Sequence, residues 1–77
     1  MMWFLIVYHR KLQELKTFRT YSNAEYDAAW EARGQLSREF VRDPNIEVVL
    51  LGSESEADIR VTHRRYFQPP MAVTDGR

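Results

Sequence analysis

The chain has 77 residues and a mass of 9.2 kDa, enough for one small domain. Eleven Lys and Arg balance eleven Asp and Glu, and this zero net charge speaks against a non-specific nucleic-acid binder and favours association between copies. There is no cysteine, which excludes a disulfide framework and a thiolate metal site, and 44% hydrophobic with 13% aromatic residues is unlike a disordered chain.

A domain this short buries only about 60% of the surface its unfolded form exposes, so it leans on tight packing or on a partner. The longest apolar run, Met1 to Tyr8, falls far below the roughly 20 residues that cross a bilayer. It also lacks the basic start and small-residue cleavage site of a signal peptide. The expected location is the cytoplasm, with no membrane role.

Trp3 to Tyr8 is aromatic and β-branched, and reads as the first strand. Both of its alternating sets are apolar: Trp3, Leu5 and Val7 on one side, Phe4, Ile6 and Tyr8 on the other. A strand of this kind belongs at the centre of a sheet, covered on both sides. His9 to Gln13 is polar and turns the chain, although no Gly or Pro marks the turn. Glu14 to Tyr21 alternates as a second strand, and its charges suit an edge.

Ser22 followed by Glu25 has the capping-box spacing and opens a helix to about Arg42. Tyr26, Ala29, Trp30, Arg33, Leu36, Ser37, Phe40 and Val41 recur along one stripe, which places Trp30 in the core. Arg33 lies in that stripe and must snorkel or find a partner. Asp43-Pro44-Asn45 stops the helix, because Pro lacks the N–H and constrains its predecessor. Ile46 to Leu51 is a third strand closed by Gly52. Glu47 is its one charge and points to a wet end of the face.

Residues 53 to 67 fit a strand about Val61 or a helix. The helix is preferred: Ile59, His63, Tyr66 and Phe67 fall on one face, with acids early and Arg64 and Arg65 late, the order the helix dipole favours. The expected architecture is a single α+β domain over 1–67 with a flexible tail over 68–77. Its order is ββαβα, with an antiparallel sheet in strand order 2-1-3 and both helices on one face. The alternative is ββαββ.

With both helices on one face, the other face stays bare, which on a small domain marks an interaction surface. Trp3, Leu5, Val7 and Leu51 are its candidate residues, and a second copy is the expected cover, since two-fold homodimers are the commonest oligomers. Another protein is the other candidate partner. The expected function is a protein–protein interaction module without catalysis. The alternative is a nucleic-acid or phosphate binder that uses Arg10, Lys11, Arg64 and Arg65, where Arg offers bidentate bonds. The His63-Arg64-Arg65-Tyr66 cluster reads first as a favourable helix C-terminal turn.

Glu54, Glu56 and Asp58 lack the spacing and glycine of a hard-cation loop, so no metal or cofactor is expected. No serine stands in a nucleophile context beside His9 or His63, so no catalytic residue is assigned.

Residues 46 to 67, from Ile46-Glu47-Val48-Val49 through Arg64-Arg65-Tyr66-Phe67, resemble small uncharacterised proteins of actinobacterial type. The Arg bias, nine of eleven basic residues, fits that resemblance. It covers under a third of the chain and implies no activity.

Overall fold

Three eight-residue strands form the sheet: β1 (Met2–His9), β2 (Glu14–Tyr21) and β3 (Ile46–Ser53). The computed structural model describes residues 1–68, and the expected tail beyond Gln68 lies outside the described residues. The strand order is β2-β1-β3, and both pairings with β1 are antiparallel, so the doubly apolar strand is central. The turn between β1 and β2 manages without glycine. Gln13 takes φ 55, and the Leu12 N–H donates to His9 Nδ1 at 3.1 Å, so the histidine ring holds the turn.

After β2 the chain makes a 3-10 turn at Asn23–Glu25 and enters α1 (Tyr26–Glu39). The capping-box pair is present: the Ser22 N–H donates to Glu25 Oε1 at 2.8 Å. The helix stops at Glu39, short of Arg42, and the chain then turns with the Asn45 N–H held by Asp43 Oδ1 at 3.0 Å. Strand β3 runs through Gly52 to Ser53, two residues past Leu51. Residues 56 to 62 form α2 (Glu56–Thr62), capped by Ser55, whose Oγ accepts from the Asp58 N–H at 3.1 Å. A 3-10 turn at Arg64–Tyr66 follows. The order is ββαβα, an α+β fold.

The helices do not share a face, contrary to the sequence expectation. Phe4, Ile6 and Tyr8 pack with Ile59 and Tyr66 from the α2 side. Side chains alternate along a strand, so Leu5 and Val7 point the other way. They are buried there, at 0% and 1% exposure, on the side where Trp3 meets Tyr26 of α1 at 4.6 Å and where Ala29 of α1 is also buried. The physical reason lies in β1 itself. Each fully buried side chain of this size contributes about 1.5–3 kcal/mol, and two apolar sets can be buried only by two covers.

Candidate functional site

The register decides where the predicted interface residues fall. Leu5 faces Leu50, Val7 faces Val48 and Trp3 faces Gly52, but Leu51 faces Phe4. Directly paired residues share a face, so Leu51 lies on the α2 side, opposite the other three. It packs against the Phe4–Ile59 core. Leu5 and Val7 are interior to the chain, and Trp3 and Leu51 are partly exposed. The bare face expected from these four residues is therefore not present: α1 covers one side and α2 the other.

Two of the four predicted basic residues converge on a carboxylate. Arg65 Nη2 donates to both Glu47 oxygens, at 2.8 and 2.7 Å. Tyr66 Oη donates to Glu47 Oε2 at 2.7 Å, and Arg10 Nε reaches Oε1 at 3.4 Å. The Arg65 guanidinium lies 4.2 Å from the Tyr66 ring centroid, and Tyr66 meets Tyr8 edge-on at 5.1 Å. Burial pushes the Glu47 carboxyl up, but the bonds from Arg65 and Tyr66 and the Arg65 charge outweigh it and hold the group below its ordinary value. Burial, then the Glu47 carboxylate, pushes the Tyr66 phenol up to about 12. Bonding to Glu47 also raises the Arg65 pKa. The β3 charge thus ends in a closed ion-pair network rather than in water. Its groups satisfy one another, and its work is to seat the 3-10 turn on the sheet.

Lys11 and Arg64 are exposed and form no ion pair among the described residues. Of the acids near α2, Glu56 pairs with Arg60 at 2.9 Å. Among the described residues no three His, Asp or Glu side chains are placed to share a metal ion. No described helix is long and apolar enough to cross a membrane.

The feature that sequence reasoning missed is on α1. Trp30 is 55% exposed, not core, and Tyr26 and Val41 are exposed at 38% and 75%. At 100° per residue, Ala29 marks the buried line of the helix. Tyr26 and Trp30 then lie on one flank, turned roughly 60–100° from it, and Val41 follows in the turn just beyond the helix end. A finer division of the stripe by helical angle would have separated Trp30 from the core set. Arg33, the charge in the stripe, finds its partner here: its guanidinium stands 5.1 Å over the Trp30 ring.

This flank looks toward β3. At one end Tyr26 touches Trp3, whose indole lies across Gly52; a Cβ on Gly52 would meet Trp3 Cζ3 at 2.8 Å. The glycine is therefore required by the close approach of the ring. At the other end Ser37 and Val41 line a shallow groove with Pro44, Ile46 and Val48. Between them Trp30 continues the aromatic line, with its ring 6.4 Å from Tyr26.

Comparison with protein-family models, with curated proteins and with solved structures gave no match.

Proposed function

We propose that this chain is a protein–protein interaction module, with binding rather than catalysis as its role. The observation that carries the reading is the set of exposed large apolar side chains on α1 and the turn after it: Tyr26, Trp30 and Val41. Large apolar side chains grouped on a small surface favour a protein partner, and Trp and Tyr are the side chains most often found at the energetic centre of interfaces. The Glu47 network points the same way, because its groups are consumed in holding the fold. The nucleic-acid alternative keeps only Lys11 and Arg64 as unengaged cations, since Arg10 and Arg65 bond Glu47.

The test uses the full chain as tagged bait, with an untagged copy and an extract of the source cell as prey. A Trp30→Ala/Val41→Asp double variant is the second bait. Proteins identified on the wild-type bait, the untagged copy among them, are expected to be lost on the double variant. An identical set on both baits would remove this surface from the account.

A further inference from the structure

The backbone of β3 carries a second signal on the same side of the molecule. The Arg10 N–H donates to the Asn45 carbonyl at 2.7 Å, which continues the β1–β3 ladder by one hydrogen-bonded pair. In an antiparallel ladder such pairs alternate with non-bonded ones. The odd residues of β3 therefore bond β1, and Val48, Leu50 and Gly52 turn their N–H and C=O groups outward. Ile46 agrees with this: its N–H points away from β1 and donates to the Asp43 carbonyl. Among the described residues no other backbone bond reaches this edge.

Natural sheets guard an open edge with Lys, Pro, bulges or very short strands. Strand β3 is eight residues long and reads Ile-Glu-Val-Val-Leu-Leu-Gly-Ser, with no Lys or Pro. No register shift interrupts its pairing with β1. Its one charge, Glu47, is tied to Arg65 and Tyr66.

We infer that the partner of this surface is a second copy of the chain, joined β3 to β3 in antiparallel fashion about a two-fold axis at Leu50, so that two sheets become one of six strands. This rests on the interaction reading above and names its partner. Centring on Leu50 pairs it with itself and sets Val48 against Gly52 of the other copy, which satisfies the outward groups of both. Centring on Val48 instead would bring Pro44, which has no N–H, opposite Gly52.

Two further observations select a like copy. Arg42 stands before the start of β3 and Glu54 follows its end, and both are exposed and outside the ion pairs of the described residues. Antiparallel pairing sets each basic end against the other copy's acidic end, and Asp43 at the basic end is engaged with Asn45. The apolar residues of α1 and the turn after it lie on this same side, with Tyr26 near the Gly52 end and Val41 near the Ile46 end. Trp30 lies one turn past Tyr26, about 6 Å along the helix axis. The two-fold axis therefore brings the α1 flanks together.

The chain has no cysteine, so one introduced thiol gives a clean cross-link. In a hydrogen-bonded antiparallel pair the Cα atoms stand about 5.5 Å apart, inside the roughly 4.4–6.8 Å that a disulfide spans. The experiment measures the mass of the wild type by light scattering from micromolar to millimolar concentration, then oxidises Leu50→Cys beside Val61→Cys, an exposed α2 position. A Val48→Pro variant removes an outward N–H and leaves the bonds to β1 intact. Expected are a wild-type dimer, a disulfide at Leu50→Cys and not at Val61→Cys, and a monomer for Val48→Pro. A wild type that is monomeric throughout overturns the inference, as does a dimer that Val48→Pro leaves unchanged. A monomer that still captures another protein through Trp30 would leave the interaction reading standing and the second copy rejected.

Discussion

The two edges of the sheet are built from opposite materials. Strand β2 carries Glu14, Lys16 and Arg19, with Glu14 and Lys16 paired at 3.6 Å, and its register with β1 slips at Val7/Tyr8. Charges and a bulge are what keep a strand edge from pairing with another chain. Strand β3 has no bulge, its one charge, Glu47, is tied to Arg65 and Tyr66, and its start lies beside Val41. The difference teaches where association belongs. The sheet faces are filled by the chain's own helices, so what remains for a partner is one unguarded edge and the helix flank above it.

The comparison breaks most completely if the faces are not closed. Leu5→Glu places a charge at a position with no exposure and is expected to abolish folding, seen as loss of far-ultraviolet circular dichroism and dispersed amide signals. A folded Leu5→Glu protein with altered mass would instead mean an open face.

The next effect concerns why the β3 charge does not guard its edge. Glu47→Gln is expected to cost about 1.5–3 kcal/mol, the scale of hydrogen bonds to a charged group, read by urea denaturation. The folded pKa of Glu47 lies below its unfolded value. Its stabilisation is therefore complete above the usual carboxylate range and is lost as the pH falls through the folded value. Glu47→Gln should flatten that part of the acid denaturation profile; an unchanged profile would show that the network contributes nothing.

Smaller again is the flank. Trp30→Ala is expected to keep the fold, because more than half of the side chain is exposed, and to weaken self-association by about 30-fold, the effect of an interface hot spot of about 2 kcal/mol. Sedimentation at several concentrations reads this. The smallest effect belongs to the guarded edge: Lys16→Ala should change stability by less than about 0.5 kcal/mol, since exposed ion pairs contribute little, and leave association unaltered.

Much of this fold was legible in the sequence. The doubly apolar Trp3–Tyr8 segment placed β1 at the centre, and the Ser22/Glu25 spacing and Pro44 bracketed the first helix. The acids and bases around Ile59 indicated a helix where alternation alone allowed a strand. The assignment of helices to faces was not legible, because it depends on which side of the sheet the chain after β3 returns to. Leu51 was misassigned for a related reason: its face follows from the β1–β3 register, which puts it opposite Phe4. Trp30 was hidden by a stripe drawn too wide. The outward alternation of β3 needed one observed bond, Arg10 to Asn45, that no residue pattern contains.

Amide hydrogen exchange compared between dilute and concentrated wild-type protein tests the contrast between the edges most directly. The account predicts that the N–H groups of Val48, Leu50 and Gly52 become protected as concentration rises, while those of Phe18 and Thr20, outward on β2 by the same alternation, exchange fast throughout. Equal and fast exchange at both edges at every concentration would contradict it.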